Sequence, residues 1–252
     1  LLFLVITLPA AFLLDMSGGK LGPASPYGVE GSVWSGKASL LRIGKTDLEQ
    51  FRWNTSIFSL FTGALELGIH MKYGRGHARG DIGLQLVGKD RVYIEDLKAL
   101  FYVEEISSLL QPSSSPIQLS GKLTTNLEYV SILPNHIVDE AVGTITWKGA
   151  KASLGPEELP LGNFNLTLTT EKGIVTAKFK DQGKNGPIEA NLVATMAQNG
   201  DITINGKIGH RPNAHKVLMN LLKVPFAGKS EKVFNVKGNI NNPAKLTQAL
   251  MK

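Results

Sequence analysis

The chain has 252 residues and no cysteine, and 42% of its residues are hydrophobic while 19% are charged. This length is sufficient for one large domain or two small ones, and the composition excludes an intrinsically disordered protein. The absence of cysteine excludes disulfides, thiolate metal sites and cysteine nucleophiles. The formal net charge is +6, from 27 Lys and Arg against 21 Asp and Glu.

The sequence begins with an uncharged run, residues 1–14, which is apolar except for Thr7 and Pro9. As a helix this run spans about two-thirds of a hydrocarbon core roughly 30 Å thick. We interpret it as a membrane anchor truncated at its N-terminus, followed by a juxtamembrane linker at 15–27. A cleaved signal peptide is the main alternative, but no Ala-x-Ala site follows the run. A buried core helix is the third interpretation.

From Gly28 onward, apolar and polar residues alternate in the pattern of strands that have one apolar face. Clusters of Gly, Asn, Asp and Lys separate the runs at the spacing of hairpins. The fold class we predict is therefore mainly β: an N-terminal transmembrane helix followed by a twisted, hairpin-rich antiparallel sheet. The alternating apolar residues are Leu65, Leu67, Ile69 and Met71; Ile82, Leu84 and Leu86; Ile117, Leu119, Leu123 and Leu127; Phe164, Leu166 and Leu168; and Ile202, Ile204 and Ile208.

Two internal segments, Glu95–Leu110 and Asn213–Val224, carry apolar residues at helical spacing, and we predict a short helix in each. In the second segment Lys216 and Lys223 flank an apolar stripe on one helix face. Such a helix suits an anionic membrane surface or an acidic partner, and burial of the stripe in the core is the alternative. The residues that set the two patterns are Leu97, Leu100 and Phe101 in the first segment, and Val217, Leu218, Leu221 and Leu222 in the second.

The segment Trp34–Leu40 (WSGKASL) recurs as Trp147–Leu154 (WKGAKASL), with one residue inserted. We interpret this as a possible internal duplication, with a first β-rich half at 28–133 and a second at 134–252; chance similarity is the alternative. The insertion at Ala150 predicts a β-bulge, because one extra residue otherwise reverses the faces of a strand. The repeat makes four residues candidates for structural or contact roles: Trp34, Gly36, Trp147 and Gly149.

The C-terminal region is basic, since the segment from Lys207 to Lys252 has nine Lys and Arg against the single acid Glu231. A basic surface attracts phosphate groups, anionic lipid headgroups or acidic proteins, and a solvated basic face is the alternative interpretation. No nucleic-acid-binding motif occurs, and we predict no nucleic acid partner. The candidate basic contact residues are Lys216, Lys223, Lys229 and Lys232.

The sequence contains partial matches to known ligand-binding motifs, but each match lacks residues or local structure that the binding chemistry requires. Gly83–Lys89 fits the first positions of a phosphate-binding loop, but Asp90 stands where Ser or Thr holds magnesium, and the segment alternates like a strand. Asp181–Gly186 lacks the oxygen ligands of a calcium loop and indicates a hairpin turn. The five histidines do not have the spacing of a metal-binding helix. We therefore predict no enzyme activity, no catalytic or metal residues and no cofactor.

The segment Tyr27–Ala38 (YGVEGSVWSGKA), which follows the predicted anchor, resembles the type II secretion system protein N family, also called general secretion pathway protein N. The distinctive element is the Gly-x-x-Trp-x-Gly box that ends at Gly36. The similarity extends over nearly the whole chain. Its further elements are Trp53, Gly143–Trp147, Leu161–Leu166, Asn199–Gly206 and Phe234–Ile240.

The resemblance implies a single-pass inner-membrane protein of a Gram-negative bacterium, with the bulk of the chain in the periplasm. It implies an accessory of the machinery that exports folded proteins across the outer membrane, with other type II secretion proteins of the inner-membrane platform as partners, and no enzyme activity. The chain is more loosely similar to AsmA-like membrane-anchored β proteins. That similarity implies the alternative function, lipid binding or lipid transfer along an apolar groove.

Overall fold

The structure is a computed structural model, and most of the predicted anchor and most of the predicted linker lie outside the residues that it describes. Among the described residues, no helix is long and apolar enough to cross a membrane. The described residues are 9–10, 24–44, 46–56, 59, 61, 63–85, 87–88, 90–110, 117–183, 186–223, 226, 228–242, 246 and 248.

The prediction of a mainly β fold with antiparallel strands is confirmed, since the strands form one open antiparallel sheet in chain order. The chain divides into two compact units, Leu1–Phe101 and Tyr102–Lys252, here called the first and second unit. The strands of the first unit are β1 (Ala24–Gly31), β2 (Ser35–Ile43), β3 (Thr46–Thr55), β4 (Ala64–Tyr73), β5 (Gly76–Gln85) and β6 (Arg91–Tyr102), which ends at the border of the unit.

The second unit contains both described helices and the longest strands. Its elements are α1 (Val103–Leu110), β7 (Ile117–Ile132), β8 (Val138–Leu154), β9 (Glu157–Glu171), β10 (Ile174–Asp181), β11 (Ile188–Ala197), β12 (Asp201–His210), α2 (Lys216–Lys223) and β13 (Glu231–Asn239). The apolar alternation that predicted strands therefore lies in β4, β5, β7, β9 and β12, apart from Leu86, which is outside the described residues.

The prediction of a helix at Glu95–Leu110 is wrong for its first half, because β6 continues to Tyr102. The cause is a β-bulge: Asp81 pairs with Glu95 but Arg79 pairs with Lys98, so β6 has one extra residue there. Asp96 has a φ of 47° within this bulge. The bulge interrupts the period-two alternation, and the remaining apolar spacing imitates a helix. The helix itself begins only at Val103.

The second helix is confirmed in a shorter form, since α2 lies within the predicted segment and is eight residues long. Its apolar stripe belongs to the core: Leu218 is 3% exposed, and Val217, Leu221 and Leu222 pack beside it. This packing supports the alternative interpretation, burial of the stripe in the core. The helix needs the sheet for its stability, because eight residues are too short to persist alone in water.

The core of the second unit lies under α2 and the segment that precedes it. Aromatic rings fill its centre, with Phe164 stacked on Phe179 at a centroid distance of 5.4 Å and Trp147 tilted against Phe164 at 5.8 Å. Small residues allow this close approach. The buried residues of this core are Ala150, Leu159, Phe164, Ile188, Ala190, Ala214 and Leu218.

A partly buried ion pair fixes the end of the β10–β11 hairpin to the segment before α2. Arg211 Nη2 donates to Asp181 Oδ2 at 2.7 Å, and Arg211 Nη1 donates to the Gly186 carbonyl at 2.8 Å. Asp181 Oδ1 accepts the Ala190 N–H at 2.8 Å. The two charged side chains are only 18% and 14% exposed. Asp181 thus anchors one end of the β10–β11 hairpin, and the hairpin predicted for this segment is confirmed.

The predicted joint between two halves, at 134, lies in the turn of the β7–β8 hairpin, where the Leu133 N–H donates to the Ile137 carbonyl at 2.9 Å. The border between the two compact units falls earlier, after Phe101. The internal duplication itself stays a prediction.

In the first unit, aromatic rings lie across glycines of the neighbouring strand. Gly83 pairs with Tyr93, and a Cβ added to Gly83 would clash with the Tyr93 ring. The Tyr93 hydroxyl continues across Gly83 and donates to Glu66 Oε1 at 2.9 Å. Gly76 has the same relation to Phe101, whose Cδ1 would lie 2.7 Å from an added Cβ. These glycines make space for a ring, and the ring fixes the register of two strands.

We expect Gly83→Ala to destabilise the protein by about 1–3 kcal/mol, because the added methyl group overpacks against Tyr93. In a Tyr93→Ala background the obstacle is absent, and the same substitution should be neutral or stabilising, since alanine is favoured over glycine in a strand. The measurement is a double-mutant cycle from urea unfolding midpoints. Equal costs of Gly83→Ala in the two backgrounds would contradict the role of the ring.

Candidate functional site: contact surfaces of the sheet

Trp53 lies over a glycine of the next strand, close to the distinctive sequence box. It pairs with Gly36, where an added Cβ would clash with the indole ring. Trp53 Nε1 donates to the Val33 carbonyl at 3.0 Å, and Phe51 stacks on Trp53 at 5.9 Å. Gly36 of the box is therefore required by close packing, and its ring partner is Trp53.

Trp147 is held in the same way in the second unit. Its Nε1 donates to the Ser120 carbonyl at 3.1 Å, and an added Cβ on Gly121 would lie 2.7 Å from that nitrogen. Both glycines are in Ser-Gly-Lys triplets, Ser35–Lys37 and Ser120–Lys122. The local counterpart of Trp147 is thus Trp53, although the sequence repeat aligned Trp147 with Trp34. The sequence analysis missed this correspondence between Trp53 and Trp147. The shared Ser-Gly-Lys triplet is the sequence signal that could have revealed it.

The other two candidates from the repeat occupy turns and bulges. Trp34 is half-buried between β1 and β2, and its carbonyl accepts the Thr55 N–H. Gly149 has a φ of 60° and donates its N–H to Asn163 Oδ1 at 2.7 Å. The register shifts between Trp147 and Ala150, so the predicted bulge at the insertion is confirmed. Contact of these residues with a partner stays a prediction.

Five basic residues line up across five strands of the first unit, and we call this line the basic row. The pairings join Lys37 to Arg52, Arg52 to His70, His70 to Arg79, and Arg79 to Lys98. All five side chains are exposed. Lys37 Nζ lies 2.9 Å from Glu30 Oε2 at the end of the row.

The basic row borders a groove of about 510 Å³. Gly68 forms part of its floor, where an added Cβ would lie 3.0 Å from Asp81 Oδ1 and would also clash with the Asn54 amide. Asp81 and Asp96 line the side opposite the cations. On the strand that carries Asp96, burial raises the pKa of Glu95, and the charges of Glu66, Asp81 and Asp96 raise it further. The groove thus has a basic side and an acidic side.

Sequence reasoning missed the basic row because its members are spread over 62 positions and come together only through register. Two bulges keep them on one face: one contains Asp96, and the other, between Glu49 and Arg52, contains Gln50 with a φ of 50°. A bulge adds one residue without a visible sequence signature here, so alternation alone assigns the wrong faces.

An apolar face extends over six strands of the second unit, and we call it the apolar face. One row pairs Ile145, Leu166, Phe179, Leu192, Gly206 and Phe234 in register, and the next pairs Gly143, Leu168, Ala177, Ala194, Ile204 and Val236. Most of these side chains are only half-buried. The opposite face is polar, with Thr195 hydrogen-bonded to Thr203 and Thr146 to Asn165.

The C-terminal basic region is partly engaged inside the protein. Lys207 lies 3.2 Å from Glu189 and 3.4 Å from Glu231, and these hydrogen bonds and charges raise the Lys207 pKa. Arg211 is held by Asp181. These two cations therefore contribute to structure, and the charge excess that remains for a partner is smaller than the sequence count.

The structure places the candidate basic contact residues at the two ends of α2, in the segment after it and on β13. Lys216 and Lys229 are exposed, at the start of α2 and after it. Lys232 lies in β13 with its Nζ 5.5 Å from the centre of the Phe234 ring. The side chain of Lys223 lies outside the described residues. Their role as a contact surface stays a prediction.

A second groove, of about 1170 Å³, lies in the second unit beside Glu157, Glu158 and His215. Glu158 is already paired with Lys151 Nζ at 2.8 Å. Within the described ranges, no group of three or more histidine or acidic side chains is placed to hold a metal ion. The features that the structure does display are exposed or half-buried sheet faces of distinct chemistry. They define the class of an open antiparallel-sheet β protein.

The sequence model of the family "Type II secretion system (T2SS), protein N" matches residues 25–231, which include all of the described strands except parts of β1 and β13. The chain belongs to the type II secretion system protein N family. This membership confirms the resemblance identified from the sequence and supports an accessory role in type II secretion.

Two relatives are similar over much of their length. The type II secretion system protein N of Aeromonas hydrophila is 24% identical over 223 residues, which are 88% of this chain and 80% of the relative. That of Vibrio cholerae serotype O1 is 27% identical over 171 residues, 66% of this chain and 65% of the relative. No solved structure matches significantly.

We expect Trp53→Ala and Trp147→Ala each to destabilise the protein by about 2–4 kcal/mol, because each removes a ring that fills the space over a glycine. The corresponding Trp→Phe variants keep a ring and lose mainly the indole hydrogen bond, at a cost of about 1 kcal/mol. Urea unfolding midpoints measure both. The sequence repeat instead predicts similar losses of about 3–5 kcal/mol for Trp34→Ala and Trp147→Ala. A larger loss at Trp34 than at Trp53 would contradict the pairing drawn from the structure.

Proposed function

We propose that this protein is a non-enzymatic adaptor of the type II secretion machinery, held in the inner membrane by its N-terminal segment, with the sheet in the periplasm. The observation that carries the proposal is the family match over 25–231. The partners in this proposal are other secretion proteins of the inner-membrane platform. The uncharged run at 1–14 supports the anchor, since its composition suits a hydrocarbon core.

The architecture supports an adaptor because the two units expose surfaces of different chemical character. The first unit displays charged residues on a groove, and the second unit displays an apolar face. A docking protein needs exposed surfaces that a partner complements in shape and charge. An open sheet offers such surfaces without a deep pocket.

The second candidate function is that of an AsmA-like lipid-binding or lipid-transfer protein. The half-buried apolar face of β8–β13 favours it, because side chains such as Leu192 and Phe234 form a continuous apolar strip with a polar face behind it. Acyl chains bind to such strips through burial of apolar area, at roughly 25 cal/mol per Å².

The proposed location predicts that everything after Asp15 is periplasmic. Reporter domains that are active only after export, fused after Gly36 and near Lys252, should both be active. Reporters that are active only in the cytoplasm, fused at the same two positions, serve as the matched controls and should both be inactive. An inactive exported reporter near Lys252 with an active one after Gly36 would exclude a single-pass topology.

The two candidate functions are separated by photo-crosslinking from adjacent residues on opposite faces of β11. A photoreactive amino acid is placed at Leu192, on the apolar face, or at Val193, on the polar face. Adducts are isolated from living cells, and proteins and lipids are both identified by mass spectrometry. We expect protein adducts with secretion-platform components.

Lipid adducts at Leu192 without lipid adducts at Val193 would favour the lipid-binding function. Protein adducts at neither position, in cells that secrete normally, would contradict docking through this strand. Normal abundance of each crosslinking variant is the control for folding.

A further inference from the structure

The basic row is costly for the sheet that carries it. Cross-strand neighbours lie about 5 Å apart, and like charges directly opposite each other destabilise a sheet. Here Lys37, Arg52, His70, Arg79 and Lys98 are consecutive partners over five strands. Alternation of charge would relieve this repulsion, and the same face does contain acids one pair further along, at Asp81 and Glu95. The row instead keeps four formally charged side chains, two Lys and two Arg, on one face with His70 between them.

Partners within the protein compensate only one end of the row. Glu30 pairs with Lys37, and both side chains are more than half exposed. Among the described residues, the structure gives Arg52, Arg79 and Lys98 no ion pair. Arg42, an exposed cation of the first unit outside the row, is paired with Asp47 at 2.6 Å. The middle of the row is therefore available to an external anion.

We infer that the basic row is a docking line for an extended acidic segment of a partner protein. The geometry fits a linear ligand. Five strands at a spacing of about 4.8 Å give a row about 19 Å long, and an extended peptide covers that distance with about six residues. The groove of about 510 Å³ beside the row gives an extended peptide a depression to lie along.

A line of cations favours a peptide over an anionic bilayer. A bilayer is charged in two dimensions, and its headgroups would also be pressed against Asp81 and Asp96, which line the same groove. A single extended chain turns its acidic side chains toward the row and places only its uncharged backbone beside these acids. Single-stranded nucleic acid is also a linear anion, but it gains much of its affinity from stacking on exposed rings. Trp53, the aromatic residue that lines the groove, is half-buried, and Phe51 already stacks on its ring.

This inference rests on the proposed adaptor function for its biological meaning, but its test uses the purified full chain without other secretion proteins. Its failure would thus leave the proposed adaptor function standing. The probe is a fluorescent peptide with about six consecutive glutamates, and the same peptide with glutamines is the control ligand. Binding is measured by fluorescence anisotropy in a neutral detergent at low and at physiological salt.

We expect the glutamate peptide to bind and Arg52→Gln/Arg79→Gln to weaken it by about five- to tenfold at low salt, as for the loss of two exposed ion pairs. Arg52→Lys/Arg79→Lys keeps the charges and should bind nearly like the wild type. Lys178→Gln/Lys237→Gln removes two exposed lysines of the second unit and is the matched control, with a change of less than about twofold. Binding should weaken with salt, because the charges are exposed.

The folding of the variants provides an independent readout. Since the row repels itself, Arg52→Gln/Arg79→Gln should unfold at the same or a higher urea concentration than the wild type. Equal peptide binding by this variant and the wild type would overturn the inference, and so would equal binding of the glutamine peptide. Displacement of the glutamate peptide by phosphatidylglycerol in the micelles, or by oligothymidylate, at lower concentration than by unlabelled glutamate peptide would overturn it in favour of a membrane surface or nucleic acid.

Discussion

The contact between an aromatic ring and a glycine on the next strand is the constraint on which the surfaces of this sheet depend. A sheet with side-chain period two tolerates no slip, because a shift of one residue exchanges its two faces. The indole of Trp53 over Gly36 and the ring of Tyr93 over Gly83 hold their strand pairs at one register. Glycine is needed at these positions for space.

The basic row depends directly on these contacts. The pair Lys37 and Arg52 is adjacent to the pair Gly36 and Trp53 on the same two strands, so the ring that fills one face fixes the charges on the other. Repulsion along the row opposes this register, and the packing of rings outweighs it: burial of a ring contributes several kcal/mol, whereas exposed charges interact by about 1 kcal/mol or less. Ring packing on the opposite face of the sheet thus stabilises the strand register that holds the basic row together.

In the second unit, packing and ion pairs within the protein use residues that the sequence suggested as contacts for a partner. Its helix α2 brings Leu218 onto the rings of the core and so uses the apolar stripe that the sequence offered as a membrane contact. The nearby cations Lys207 and Arg211 are held by acids of neighbouring strands. The largest apolar surface described in this unit is the strip of half-buried side chains across β8–β13.

Several properties were determined by the sequence alone. Alternation over β4, β5, β7, β9 and β12, with turn residues between the runs, determines an antiparallel β fold, because strand periodicity and hairpin turns are local. The inserted Ala150 determines a bulge for the same reason. The family was also accessible, since the box around Trp34 is a contiguous string that close packing at Gly36 restricts to few residue types.

Only the tertiary structure decided which residues share a surface. Lys37 and Lys98 are far apart in sequence and join one row through four strand pairings and two bulges, at Gln50 and Asp96, and neither bulge has a sequence signature. The bulge at Asp96 also made the sequence of β6 resemble that of a helix. The partner of Trp147 in local geometry is Trp53, because what the two share is a glycine across the strand, and a cross-strand contact is invisible to a comparison along the chain.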